Sequence, residues 1–470
     1  MQLATRIRSH LEKQRKNYAV IPHAPTQTLG EAATAVHIDP RHLARAVLLQ
    51  DSRGLLLAVL PSNHLIDFHA LRELLGCDCK PAPAEQVVSV FSDCEAGCVP
   101  PLGEPYGVPV VIDKQFAHSN PVHFEAGYHH SLVRMQGSEF QALHHAGLQA
   151  AISRPLSVLE SRDVRDFMLP GELDKHHPLT DLRPLEDIRR QIERIDRLPA
   201  MPEMANRLLR LHNNPKATID DLTNIIQADP SLTAQVIRYA RSAFFGYHGK
   251  VESLTEAVTR VLGFDTVFNM ALGLAASRTF HNPADGPLGL QAFWRHATYS
   301  AALAQTLANA IGPRLPLKPG LAYLVGLLHN FGFLLAGHLF RAEFFLLNRV
   351  VAANPQIPVP LIERRVLGIE HTQIGAWLMS AWNMPEAVTL GCREHHNEFY
   401  AGDQAEYVHL MLCVDHLLRA HGIGDGADGA PPTAILNALG LDLDKARQIT
   451  EKLLESTETL DAMARQLAAA

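Results

Sequence analysis

From Leu321 to Phe340 the chain runs for about 20 residues, the length that spans a bilayer, without a formal charge. Such a stretch either crosses a membrane or lies as an apolar helix inside a protein core. His329, Asn330 and His338 interrupt it, and Gly326, Gly332 and Gly337 loosen it. Polar side chains at that depth are costly in lipid, whereas a buried helix of a bundle can direct them to an internal site. The sequence therefore predicts one buried helix, no membrane partner, and polar groups gathered inside a helical core.

At 470 residues the chain has length for roughly two to four domains, and 47% hydrophobic residues supply their cores. Its net charge is −7, and residues 1–150, with 12 basic against 14 acidic side chains, contribute −2 of it. No domain-wide basic field exists, which argues against non-specific nucleic-acid binding and leaves a local basic pocket open. Six cysteines and no secretory signal predict a reducing, cytoplasmic setting. Four of them pair as Cys77-x-Cys79 and Cys94-x-x-x-Cys98, neither being the C-x-x-C zinc knuckle. The second pair is expected at i, i+4 on a helix, and all four read as structural or incidental thiols.

The pattern changes character along the chain. Residues 1–150 alternate helical stretches with strand-like runs at Arg45–Leu49, Gly54–Leu60 and Val108–Ile112, which predicts a mixed α/β domain. Residues 151–184, broken by Pro155, Pro170-Gly171, Pro178 and Pro184, read as a linker that lets the halves move independently. From 185 onward the pattern is almost wholly helical. Thr218 and Ser253 each open a capping box, Asp229-Pro230 places a cap before a first-turn proline, and Gly263 closes a helix. Gly422–Pro432 reads as a flexible break, followed by one or two amphipathic terminal helices. The fold class is thus α+β multidomain: a mixed α/β domain over 1–150, a linker over 151–184, an all-α bundle over 185–400, and a helical extension over 401–470.

On the helical half, His296, His329, His371, His395, His396 and Asp415 fall on successive apolar segments. Imidazoles and carboxylates spread over several helices are how a bundle builds a metal site in its core, each ligand projecting inward from a different helix. One transition-metal ion is the cofactor that this set suggests. The alternative is a set of buried histidines bonded to carbonyls. Neighbouring imidazoles such as His395-His396 seldom both suit a plain apolar core, and Asn330 offers only a weak carbonyl oxygen where a carboxylate would neutralise a cation.

Leu198–Pro202, Ala228–Thr233, Tyr239–Gly246 and Ala257–Gly263 occur in order and together resemble the HDOD domain of bacterial regulatory proteins. That resemblance implies an all-α relative of the HD-type metal-dependent phosphohydrolases, acting in signalling rather than catalysis. Against the wider HD superfamily, the five histidines and Asp415 match metal-ligand positions of cyclic-dinucleotide phosphodiesterases. Asn330 replaces the aspartate of the His-Asp pair, and Asn397–Tyr400 replaces the glycine-tyrosine-proline signature. Losing the shared carboxylate weakens a two-metal arrangement and the hydrolysis it supports, and leaves a single ion open.

The first 150 residues resemble the YbaK and prolyl-tRNA-synthetase-associated domain through Pro22–Thr26, Leu29–Ala33, the strands around Arg45 and Gly54–Pro61, Gly97–Gly103 and Phe124–Gly127. Members hydrolyse wrongly charged aminoacyl-tRNA in trans. The resemblance implies a substrate pocket at His23, Arg45, Gly97, Gly103 and Gly127, with no catalytic residue assigned. Arg45 stands where members carry lysine, and a planar fork is not a compact ammonium. Gly97 and Gly103 either aim backbone N–H groups at the ester or simply bound a Pro-Pro turn.

Arg6, Arg8, Lys13, Arg15 and Lys16 read as the solvated face of a first helix, with a tRNA-backbone contact as the alternative. Two functions compete. One is a regulatory protein whose helical half engages a protein partner and whose N-terminal domain senses an amino acid, a nucleotide or an aminoacyl-tRNA. The other is an editing deacylase. Arg45 and Asn330 favour the first, and phosphodiester hydrolysis ranks third.

Overall fold

A computed structural model describes residues 3–24, 26, 28–95, 97–161, 181–193, 198–212, 214, 216–241, 249–276, 280, 282–425 and 430–469. The chain forms two compact units. One comprises Met1–Arg189, Ala342–Gly368 and Ala427–Gly429, and the other Arg190–Arg341, Ile369–Gly426 and Ala430–Ala470. Most of the linker region and residues 242–248 of the Tyr239–Gly246 motif lie outside the described residues.

The first unit is built on an eight-stranded mixed sheet. Its strands are β1 (Tyr18–Pro22), β2 (Leu43–Gln50), β3 (Leu55–Pro61), β5 (Lys80–Pro81), β6 (Val110–Asp113), β7 (Val122–Glu125), β8 (Ser131–Met135) and β9 (Leu148–Ala150). The order is β1-β8-β7-β2-β3-β6-β9, with β5 alongside β2, while β4 (His64–Ile66) and β10 (Ser153–Pro155) form a separate pair. β2 and β3 form an antiparallel hairpin that pairs Arg45 with Leu60 and Leu48 with Leu57. Both faces of β2 are buried, which explains its nearly continuous apolar sequence. Ala44, Ala46 and Leu48 enter one core with Leu102, Phe124 and Phe140. Val47 and Leu49 enter another with Ile66, Phe68, Ile152 and Ala353. Val108 and Pro109 precede β6 rather than belonging to it.

In the first helix, Thr5–Lys13, Ile7 and Leu11 are buried while Arg6, Arg8 and Lys13 are exposed on a solvated face, but Arg15 and Lys16 follow the helix, and Lys16 is held at 3.0 Å from Glu139 rather than solvated. Cys94 and Cys98 share no helix, since the helix Ala84–Val90 ends before them. All six cysteines are free thiols. Cys94 meets the Tyr106 hydroxyl at 3.3 Å and Cys77 meets Asp51 Oδ2 at 3.3 Å, so polar side chains rather than one another are their partners.

Among its described residues, the regular elements of the second unit are all helices. Thr218 and Asp221 form a complete capping box, and Asp229 caps the helix Pro230–Ala240. Ser253 accepts from Glu256 N–H, but the Glu256 carboxylate takes the Glu252 N–H, so the expected second box is half formed. Gly263 ends the following turn at φ +79°. The predicted single helix over Leu321–Phe340 is two, Pro319–Leu328 and Phe331–Leu339, because the chain turns at His329-Asn330. This 21-residue span is the one helical stretch of the described residues that is long and apolar enough to cross a membrane, and 94% of its most apolar window is buried in the protein. Its packing is close: a Cβ on Gly326 would stand 2.7 Å from the Ser300 carbonyl oxygen of the helix Leu290–Ile311. Three terminal helices, Thr433–Leu439, Leu443–Leu454 and Thr457–Ala468, replace the expected one or two.

Candidate functional site

In the helical unit the six sequence-predicted ligands converge. His296 projects from the helix Leu290–Ile311, and His329 caps the end of Pro319–Leu328. His371 opens the helix His371–Ala381, His395 and His396 follow Glu386–Glu394, and Asp415 lies in Ala405–Arg419. The donors form two triads, His296, His329 and Asp415 in one and His371, His395 and His396 in the other, each within 4.8 Å. Four of the imidazoles and Asp415 are at least 94% buried, and only His396 reaches solvent, at 26% exposure.

Carbonyl oxygens orient two of the rings. His329 Nδ1 donates to Gly326 O at 2.8 Å, and His395 Nδ1 donates to Gly391 O at 2.9 Å. A carbonyl cannot donate, so each Nε2 carries the lone pair, which is how outer hydrogen bonds prepare a histidine for a metal. His371 is stacked on Phe333, with ring centroids 4.0 Å apart. Burial pulls His329 down to about 4 and His395 well below the usual imidazole range, keeping both neutral. Burial opposes charging His296 too, but its hydrogen bond to Asp415 and the charges of Asp415 and Asp425 carry it above the usual value.

Asp425 is the residue that sequence reasoning missed. It belongs to Gly422–Pro432, the segment expected to be a flexible break, yet its side chain is 6% exposed among the histidines. Asn330 Nδ2 donates to Asp425 Oδ1 at 2.9 Å and lies 3.2 Å from His296 Nδ1. Gly424, at φ +89°, permits the approach, since a Cβ there would lie 2.4 Å from His296 Nε2. The one available clue was an acidic residue set among glycines.

These residues fit a transition-metal ion. His329 Nε2, His396 Nε2, Asn330 Oδ1, Asp415 Oδ2 and Asp425 Oδ2 are buried without a hydrogen-bond partner. Buried polar atoms are rarely left so, and imidazole with carboxylate is a donor set for zinc, iron or manganese.

The N-terminal candidates do not converge in the same way. Arg45 shares the β2 face of Val47 and Leu49, while the Gly97–Gly103 loop packs through Val99 and Leu102 on the face of Ala44 and Ala46. Arg45 is buried. Its Nη2 donates to His64 O at 2.7 Å and to Asn354 Oδ1 at 3.2 Å, and its Nη1 reaches Gln356 Oε1 at 3.5 Å. Burial pulls the guanidinium down to about 9, which leaves it protonated at neutral pH. His23 Nδ1 donates to Ala24 O at 2.7 Å. Gly127, at φ +100°, has room for no side chain, since a Cβ would meet Ala4 Cβ at 2.6 Å. Gly103 likewise faces the Val108 carbonyl, where a Cβ would stand at 2.2 Å, and Gly97 adopts φ +83°. A Cys98, Glu125 and His129 cluster lies in the same unit, with His129 Nδ1 3.1 Å from Glu125 Oε1.

The geometry is that of an HD-like helical domain joined to an editing-type α/β domain. Residues 198–398 match the HDOD domain and residues 23–143 the aminoacyl-tRNA editing domain. A solved protein of Marinobacter aquaeolei VT8, described as a candidate signal transduction protein, is 30% identical with a TM-score of 0.69, and all of both chains is covered. The chain belongs to this family, in which an editing-type domain is fused to an HDOD domain. An uncharacterized protein of Treponema pallidum is 27% identical over 311 residues, covering 66% of this chain and 58% of its own length, so the chain spans little more than half of that relative.

Proposed function

We propose that the chain is a bacterial, cytoplasmic signalling protein. Its HDOD module is an adaptor for a protein partner, and its editing-type module binds an aminoacyl-tRNA or a related amino-acid or nucleotide ligand without cleaving it. The observation that carries this reading is the commitment of Arg45. At the position of the family's lysine, its guanidinium is spent on His64, Asn354 and Gln356 inside the unit's own core. A cation used structurally is withdrawn from positioning a substrate. Asn330, where HD hydrolases carry aspartate, supports a non-hydrolytic role for the helical unit, and the Marinobacter relative's description agrees in kind.

The test incubates the whole chain with a panel of mischarged tRNAs, because Ala342–Gly368 belongs to the N-terminal unit. Ester loss should not exceed buffer, while filter binding should still retain some of the aminoacyl-tRNAs. Deacylation of any member, lost in Arg45→Ala, would establish the editing enzyme instead.

A further inference from the structure

The sequence loses a carboxylate at Asn330, and the fold brings another to the same place. Asp425 is hydrogen-bonded to the Asn330 side chain at 2.9 Å and approaches histidines of both triads. Its Oδ1 is 3.5 Å from His296 Nδ1, and its Oδ2 is 3.7 Å from His371 Nε2 and 3.6 Å from His396 Nε2. We propose that Asp425 is the shared carboxylate ligand of a divalent transition-metal centre, standing in from the glycine-rich turn for the one that Asn330 cannot supply.

Three observations carry this. First, the spacing is wrong for a finished hydrogen-bond network. Contacts at 3.5 to 3.7 Å are long for N–H···O bonds, yet two donors holding one ion at about 2.1 Å each in a tetrahedron stand about 3.4 Å apart. Second, the atoms without hydrogen-bond partners are the ones a cation would satisfy. Asp425 Oδ2, Asp415 Oδ2, His329 Nε2 and His396 Nε2 are all buried in the same cluster. Third, the backbone is shaped for the approach. Gly424 takes a left-handed conformation and lies so near His296 that any side chain would collide with the ring. Ile423 is buried beside it, anchoring the turn.

The donor set specifies a first-row divalent ion such as zinc or manganese rather than magnesium or calcium, because imidazoles outnumber oxygens. It also specifies a closed centre. Structural metal sites fill their positions with protein groups, whereas catalytic ones keep a position for water. With Asp425 in place, binding the ion and seating the turn that carries Gly424 and Asp425 become one event. This proposal is independent of whether the N-terminal unit cleaves or only binds its ligand.

The test uses the full chain, stripped with a chelator and titrated with zinc against a competing indicator, alongside elemental analysis of protein purified without added metal. The wild type should carry at least one equivalent and melt at a higher temperature with zinc than without. Asp425→Asn should lose at least ~10-fold in zinc affinity, together with the melting shift. Adding Asn330→Asp to that variant should restore both, since it returns the carboxylate to the chain position of the HD pair. Gly424→Ala keeps every donor and should also lose zinc. A wild type that binds no zinc overturns the proposal, as does a folded Asp425→Asn with wild-type affinity or a double variant that regains nothing. Should Asp425→Asn fail to fold, a folded Gly424→Ala with wild-type zinc affinity overturns it instead. The readout is metal content and melting, so failure here leaves the regulatory reading standing.

Discussion

Asn354 Oδ1 accepts from Arg45 Nη2 at 3.2 Å and from the Ile66 backbone N–H at 3.1 Å, joining residues more than 280 positions apart. Asn354 is wholly buried. Asn354→Ala should therefore destabilise the N-terminal unit by about 1–3 kcal/mol, the usual penalty of a buried donor left unsatisfied. Urea denaturation followed by circular dichroism checks this, and an unchanged midpoint would show that the contact is idle. Arg45→Lys, with Asn354 intact, should also destabilise the unit, because one ammonium cannot serve the three divergent acceptors at His64, Asn354 and Gln356 as the planar fork does.

Arg183 donates through Nε and Nη2 to the Glu343 carboxylate at 3.0 and 2.8 Å, and the Glu343 side chain is 1% exposed. The Arg183 side chain is itself 34% exposed, and its backbone N–H also donates to Glu343 Oε1 at 3.0 Å, so removing the guanidinium weakens the support of a buried carboxylate without stripping it bare. Arg183→Ala should cost about 1–3 kcal/mol, while Arg183→Ala with Glu343→Gln should recover part of it. A double-mutant cycle of unfolding free energies measures the difference.

Acid should weaken the β2–β3 hairpin through Asp51. Burial opposes its ionisation, but the backbone N–H and side chain of Arg53, the Cys77 thiol and the Gly54 N–H outweigh that and hold it at about 2. A depressed carboxyl contributes stability that is complete above its ordinary value near 3.8 and is lost as pH falls through about 2. Wild-type melting temperature should fall over that window, and Asp51→Asn should flatten the fall. An equal slope in both proteins would move the effect to other carboxylates.

Gly332 is packed so tightly that a Cβ would lie 1.8 Å from the His371 carbonyl oxygen, a backbone atom that cannot swing aside. Gly332→Ala should destabilise the helical unit by more than the roughly 1–3 kcal/mol typical of overpacking, or displace His371 from its cluster. Thermal melting with NMR of the histidine ring protons separates the two outcomes.

Local features were the most legible in the sequence. The Thr218 box and the Asp229 cap are set by side chains reaching three residues along their own helix, so spacing alone announces them. The histidines were legible because an imidazole on an otherwise apolar face must point inward. Long-range features were hidden. Arg45 finds its partners at Asn354 and Gln356, and no periodicity in β2 marks that choice. Asp425 was hidden for the opposite reason: glycines that signal a loose segment are also what let a backbone lie against an imidazole ring. The break at His329-Asn330 escaped because the apolar pattern continues unbroken on both sides of the turn.

Because Ala342–Gly368 contributes Ala353 and Asn354 to the interior of the N-terminal unit, the two sequence families are interleaved rather than strung end to end. A recombination event that joined a foreign HDOD sequence after residue 190 would import a stranger into a core it had never shared. Such a fusion, once made, could drift but not readily be shuffled. Its two parts would be inherited together, each substitution near Asn354 answerable to Arg45 as well as to its own helix.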